Sequence, residues 1–477
     1  MNIAIIFGAL ILSAALYGAI AYLKSRDIHT VDDFFHIHDV NRGFLSIVAG
    51  NLTLGTGLVY IASLAQSQAL FALVAPAGVL VGYLLLSRLV SSLSISDSSE
   101  NHDVLDFLDC GPGGKLLSKS ISLIMAATYL VLIPLEIYVS ANLFSALFVT
   151  EDASLMAPVF GATIFTIVIV YSAIGGLRGI VATDVLQFVF MLGLVLIILI
   201  GAALFSSDGG GTPVSLWPKQ NFIAVGLLTI STFVTAVATQ FYNVINVTVG
   251  NSFDSQEQKV MFLKTGLTLS AVLALLVFTG VYAASLGSSP FGSIDILLSK
   301  LGDLSHGYFN LTVIFLVVFG MVAVLISSAD SGFIAISHTV YEKVIGKSSR
   351  ERAGGSKLLS VRLFYVVAIN AAAAIPLIII FQREPNIISL LVSSISALTV
   401  SAPLIASAAY CSSRFQVSIF HRLPAAIAAL IVVLITWGMS ISSTLSNETD
   451  KGHLVVIVGV ILAMILACVD YFLSKAK

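Results

Sequence analysis

Charge is scarce in this 477-residue sequence. Only 10% of its residues are Asp, Glu, Lys or Arg, against about a quarter in soluble domains. Such a chain cannot clothe a single core with a water-facing surface. Hydrophobic residues make up 58% and mean hydropathy is +1.03. Cysteine is scarcer still: Cys110, Cys411 and Cys468 are odd in number, widely separated and without a CxxC pair. That spacing speaks against a disulfide framework and against a thiolate metal site. No basic tract suggests nucleic acid, and the net charge of −2 favours no partner. No polar stretch is long enough for a separate soluble domain, which weakens any reading as a receptor with its own catalytic output.

What the sequence has instead is apolar runs of about 20 residues, the length that crosses roughly 30 Å of hydrocarbon. Hydropathy and helix breakers predict an all-α polytopic membrane protein with thirteen transmembrane helices, at 3–23, 43–62, 69–90, 120–149, 155–173, 180–205, 221–243, 260–284, 309–341, 360–381, 387–411, 422–441 and 453–473. Residues 3–23 lack a basic flank and a small-residue cleavage site, so they read as a retained first span rather than a signal peptide. In the outer loop 285–308, SIDILLSKL has helical spacing.

Basic residues sort the loops into two sets. One set holds 19, from Lys24 and Arg26 through Arg178, Lys347 and Lys357 to Lys475 and Lys477; the other holds four, Lys219, Lys300, Arg383 and Lys451. The basic set should face the cytoplasm. Thirteen spans then place the N-terminus outside and the C-terminus inside.

Several spans break their own pattern. GNLTLGTG at 50–57 puts three glycines beside Asn51, Thr53 and Thr56, a poor continuous helix. Non-helical backbone at membrane depth is tolerated where it is buried in protein or lines a cavity, and freed carbonyls there suit a small hard cation. Close helix packing through small residues is the other reading. In SSADS at 327–331, Ser327, Asp330 and Ser331 share one helical face. A carboxylate in a span must face protein, water or an ion, unless it lies at the water boundary. Gly175–Gly176 marks a tight turn beside Arg178, and Asp184 and Gln187 follow in the next helix, at a depth similar to Asp330. TQFYNVIN at 239–246 interrupts the seventh span with Gln240, Tyr242, Asn243 and Asn246, as donors and a ring for a solute or as an ordinary helix end. Glu136 sits mid-span after Pro134, either functional or paired with a neighbouring amide or hydroxyl.

With these motifs the chain resembles the sodium:solute symporters, which include bacterial proline, sialic acid and galactose carriers. The resemblance runs over roughly 30–415. It rests on Gly175, Gly176, Leu177, Arg178, Gly179, Thr183, Asp184 and Gln187, on SSADS followed by SHTVYEKVIG, and on the broken span at 49–57. It implies ten core helices in two inverted five-helix repeats, 43–205 and 221–411, resembling the leucine-transporter fold. Around them lie a peripheral first helix and inner loop (1–42), an outer linker (206–220) and two peripheral C-terminal helices (412–477).

The resemblance further implies a Na⁺ site made by the carbonyls of Asn51, Leu54 and Val324 and the side chains of Ser327 and Ser328. A second site, for Na⁺ or a proton, would use Asp184, Ser327, Asp330 and Ser331. Asp330 stands where hydroxyls are usual. Two departures also bear on the solute path: Thr53 replaces the aspartate of the proline-carrier type, and no Arg follows the sixth core helix.

The expected activity is secondary active transport, not enzymatic chemistry. Inward Na⁺ movement, with Na⁺ as the coupling ion, would drive uptake of a small organic solute, neutral or zwitterionic, by alternating access across a bacterial inner membrane. A monomer embedded in the lipid bilayer suffices. Asn51, Thr53, Tyr242, Asn243, Ser394 and Ser396 are the candidate solute contacts. A non-transporting solute sensor and an uncoupled uniporter or channel remain as alternatives on the same fold.

Overall fold

The computed structural model describes residues 3–93, 105, 108, 111–147, 153–208, 217, 222–286, 296–298, 300–301, 308–347, 349, 354–383, 387–445 and 449–475. Among them every regular element is helical. Cys110, Lys219, Arg350, Arg352 and Lys477 lie outside the described residues, as do the side chains of Leu54, Arg383 and Ser394.

The chain opens with α1 (Ile3–Ser25) and a short α2 (Val31–Phe35), which starts at a capping box of Thr30 and Asp33. It continues into α3 (Val40–Asn51), a π-helical stretch Leu54–Tyr60, α4 (Ile61–Gln68) and α5 (Val74–Leu93). Next come α6 (Gly111–Leu147), α7 (Ala153–Asp208), α8 (Phe222–Tyr242), α9 (Val244–Gly250) and α10 (Ser255–Ala283). The second half ends with α11 (Tyr308–Thr339), α12 (Ser356–Phe364), α13 (Asn370–Arg383), α14 (Ile387–Phe415), α15 (Leu423–Leu445) and α16 (Thr449–Lys475).

Ten helical stretches among the described residues, from Phe7–Ser25 to Lys451–Lys475, are long and apolar enough to cross a membrane. The protein is an all-α multi-pass membrane protein. Two of these stretches change direction inside. In Gly57–Ser91 the chain turns at Ala69, whose φ is +52°. In Ala157–Ser206 it turns at Gly176, at φ +52° and ψ −160°. This left-handed backbone is what glycine permits, and a side chain there would meet the Phe34 ring and carbonyl at 2.7 Å. The double glycine thus makes the turn expected from the sequence. Residues 296–298 are helical, as SIDILLSKL suggested, and Leu297 and Leu301 pack beside Gly201 on α7.

Small residues bring the helices close, as in other membrane bundles. A Cβ on Gly82 of α5 would lie 2.7 Å from the Val237 carbonyl of α8, and one on Gly280 of α10 would lie 2.6 Å from the Ala62 carbonyl of α4. Gly320 of α11 similarly approaches Phe190 on α7, while Gly175 approaches Ala21 on α1. The α15–α16 hairpin is tied at its base: Asp470 accepts from the Phe420 amide, and Gly113 at the start of α6 donates to the His421 carbonyl at 3.0 Å.

Arg178 anchors the segment before α3 to the turn in α7. Its guanidinium pairs with Asp33 at 2.6 Å and donates to the carbonyls of His36 and Asp27, each at 3.2 Å. Burial works to raise the Asp33 carboxyl. The Thr30 hydroxyl, the His29 and Thr30 amides and Arg178 together outweigh burial and hold it below the ordinary carboxylate range. The pair therefore stays charged near neutrality and would be lost only as pH falls below that range. Replacing Arg178 with Ala should cost about 1.5–3 kcal/mol in thermal unfolding of the purified protein. Arg178→Lys should not restore it, because a point charge cannot reach three acceptors; full recovery by Lys would show that charge alone matters.

Candidate functional site

Both interruptions carry an asparagine. α3 ends at Asn51, with Leu52 and Thr53 non-helical before the chain resumes. α8 ends at Tyr242, and Asn243 caps α9 by accepting from the Ile245 amide at 2.9 Å and the Asn246 amide at 3.3 Å. The two breaks meet: Asn243 Nδ2 donates to Asn51 Oδ1, while Asn51 Nδ2 donates to the Ile47 carbonyl at 2.8 Å. Thr53 Oγ1 accepts from the Gly57 amide at 2.9 Å, capping the restarted helix. Side-chain amides and a hydroxyl thereby replace the backbone bonds the breaks remove, as the low-dielectric setting requires.

Beside this junction lies a cavity of about 210 Å³. It is lined by Asn51, Thr53, Tyr242 and Asn243, so four of the six expected solute contacts converge on one space. Ser328 joins them from α11, Ile395 from α14, and Gln240, Thr239 and Thr235 from α8. Ser396 is buried on α14 but is not in this lining, where Ile395 stands. Sequence reasoning passed over Tyr60 and Tyr129, which line the cavity too. Glu136, which sequence reasoning left open, is also a lining residue. Tyr129 was findable from Glu136, because seven residues on α6 return to the same face.

A second polar cluster lies between α3, α7 and α11. Asp184, fully buried, accepts from Ser327 Oγ at 2.6 Å and, through its other oxygen, from Ser46 Oγ. When ionised, Asp184 can only accept, so each serine then spends its hydrogen on Asp184 and keeps oxygen lone pairs for another partner. Hydroxyls held in this way are oriented ligands for a hard cation. Ser46 was missed from sequence, since a lone serine in an apolar helix carries no signal. Ser331 packs against the first break, with its Cβ 3.0 Å from where a Gly50 side chain would begin. Asp330 accepts from the Ser331 amide through one oxygen, and the Ser331 hydroxyl lies beside both Asp330 and Asp184. Gln187, on α7, has both amide atoms buried and unpartnered.

The structure therefore divides the expected ion ligands. Ser327, Asp184, Asp330 and Ser331 occupy the buried cluster, whereas Ser328 faces the cavity and donates to the Leu325 carbonyl at 3.1 Å. Val324 is buried on α11 one turn before them, and Leu54 opens the π-helical restart. Among the described residues no group of three or more His, Cys, Asp or Glu converges as a metal site.

On the Arg178 side of the breaks the packing is dense and polar. His338 Nε2 lies 3.0 Å from Glu342, His36 Nδ1 lies 2.9 Å from Asp32, and the two imidazoles meet edge-on at 5.7 Å. Thr248 of α9 reaches His338 at 3.4 Å, and Ser252 accepts from the Ile37 amide at 3.1 Å. These contacts join the segment before α3, the end of α9 and the end of α11 into one floor.

No family model and no curated protein sequence matches the chain. Solved structures do. The chain is similar to a substrate-bound, outward-open Na⁺-coupled sialic acid symporter, with TM-score 0.66 and 15% identity over 97% of both chains. It is also similar to MhsT in complex with L-phenylalanine, with TM-score 0.53 and 14% identity over 91% of this chain and 98% of that one. At such identities the likeness shows the fold alone, and it bears out the symporter-like all-α fold that the resemblance implied, without fixing the number of spans at thirteen.

The Asn51–Asn243 junction is open to a double-mutant cycle. Either Asn51→Ala or Asn243→Ala should cost about 2–4 kcal/mol in unfolding free energy, from a lost cap and a buried amide left unpaired. The double variant should fall short of the sum by at least about 1 kcal/mol. Additive losses would show that the two breaks are independent.

Proposed function

We propose that this protein is a secondary active transporter that couples inward Na⁺ movement to uptake of a small organic solute by alternating access. The observation that carries the reading is the meeting of two interrupted helices at a cavity, with α11 hydroxyls and Asp184 packed against the first interruption. Interrupted helices whose breaks face a shared site are how membrane transporters present backbone and side-chain oxygens to ions and solutes. The fold shared with a Na⁺-coupled symporter supports the same reading.

Counting α14 as a pass, and separating the stretches that turn at Ala69 and Gly176, raises the ten apolar stretches to thirteen. The basic loops then face the cytoplasm, with the N-terminus outside, and the two five-helix repeats run over 43–205 and 221–411. In this arrangement Na⁺ bridges the break near Asn51 and Leu54 to Val324, Ser327 and Ser328 on α11, steadying the cavity for the solute. Asp184, Asp330 and Ser331 form a second station, for Na⁺ or a proton, on the way to the cytoplasm. Each inward charge gains about 2.3 kcal/mol per 100 mV of membrane potential. The floor built by Arg178, His36 and His338 must part for release.

The test is a thermal-shift screen of amino acids, sugars, polyols and small carboxylates and amines, in Na⁺ and in K⁺ at equal ionic strength. A coupled solute and Na⁺ should stabilise together beyond the sum of their separate shifts. Ser327→Ala should remove that excess. Uptake into proteoliposomes should then stop when external Na⁺ is replaced by K⁺. Flux that ignores the replacement would sink the coupling claim, and binding without flux would favour a sensor.

A further inference from the structure

Asp184 and Asp330 are both fully buried, and among the described residues neither forms an ion pair. Near this pair two further side chains carry polar atoms that nothing in the protein meets. The Tyr17 hydroxyl, on the peripheral helix α1, is buried without a hydrogen-bond partner, and so are both amide atoms of Gln187 on α7. Both residues are 0% exposed, so bulk water does not reach them.

Their placement points to the carboxylates. The Tyr17 ring rests against Phe319 of α11, at 6.4 Å between centroids, and its hydroxyl lies within electrostatic reach of both Asp330 and Asp184. Tyr365 also flanks Asp330, yet its hydroxyl has Ser172 beside it. Gln187 follows Asp184 by three residues and shares its face of α7. Asp184 meets Ser327 of α11, and Leu194 meets Gly320 further along the same pair of helices. Gln187 therefore stands level with the α11 turn between those contacts, which holds Val324. Packing alone gives no reason for a phenol and an amide here. Phe and Leu would fill similar space without stranding polar atoms in a membrane bundle. Buried polar groups left without a protein partner call for an occupant that meets them.

We propose that Tyr17 and Gln187 complete the shell of a hard monovalent cation lodged at the Asp184–Asp330 pair, holding it through water. The peripheral first helix is then part of the ion station. This rests on reading the pair as a cation station, and it extends that station beyond the ten core helices. The carboxylates and serine hydroxyls supply negative charge and close oxygen contacts. A phenol and a primary amide can each donate and accept, which suits them to ordered water, whose several polar partners they would help to supply.

The experiment follows the unfolding midpoint of the purified full-length protein as Na⁺ rises, with K⁺ keeping the ionic strength constant. Tyr17→Phe and Gln187→Leu should each raise the half-maximal Na⁺ concentration about tenfold, as loss of an outer-shell partner does at other metal sites. Groups that merely sit unpaired give the opposite sign: losing them should leave the midpoint in K⁺ equal or higher and the Na⁺ dependence unchanged. In an Asp330→Asn background Tyr17→Phe should have no further effect on Na⁺ dependence. Unchanged half-maximal Na⁺ in either single variant, or a Tyr17→Phe shift that persists in full beside Asp330→Asn, would overturn the assignment. The two single variants keep every carboxylate and decide the matter even where Asp330→Asn does not fold. A wild-type midpoint that responds equally to Na⁺ and K⁺ would sink the coupling reading and this assignment with it, whereas a normal wild-type response unaltered in the variants sinks the assignment alone.

Discussion

The bond from Asn243 to Asn51 is the constraint on which the centre of this molecule depends. Breaking a helix in hydrocarbon strands amides and carbonyls, each costing several kcal/mol if left unmet. Here each break ends on a side-chain amide, which can donate and accept at once. Asn243 caps its own half-helix with oxygen and grips the other break with nitrogen. Asn51 accepts that grip and returns its nitrogen to Ile47. Neither interruption is completed alone, so the two halves of the chain are joined where their helices fail.

Around that junction the bundle divides into tightly packed groups. α5 lies against α8 through Gly78 and Gly82, and α10 lies against α4 through Gly280. On the other side α11 packs on α7 through Gly320 and on α6 through Gly332. Backbone-to-backbone approach leaves little slack within a group. Between the groups lies the cavity, lined from both α6 and α8, while the Asp184 cluster joins α7 and α11 of the second group to α3. Rigid groups meeting at a seam can shift as units, and a ligand bound in such a seam would favour one arrangement over another.

Much of this was legible in the sequence, for reasons specific to particular residues. Three glycines amid Asn51, Thr53 and Thr56 cannot sustain a helix, and the structure stops α3 at Asn51. Gly175–Gly176 beside Arg178 is a turn in any setting, and Gly176 adopts the backbone only glycine accepts readily. The spacing of Ser327, Asp330 and Ser331 put them on one face, but spacing says nothing about which neighbour that face meets. Packing decided that Ser327 turns to Asp184 while Ser328 turns to the cavity. Ser46 and Tyr60 were out of reach for the same reason. Each is ordinary within its own helix; Ser46 acquires a role only from Asp184 on a distant helix, and Tyr60 only from the cavity. Glu136 was visible as an oddity, and only the fold shows that it lines the cavity.

The first helix is peripheral in the chain, yet Ala21 sits directly on Gly175 and Gly179, and Tyr17 rests against Phe319. A small side chain seated over two glycines locks α1 to both arms of the α7 turn. A reporter attached near the end of α1 would therefore ride with that turn, without altering any residue that lines the cavity.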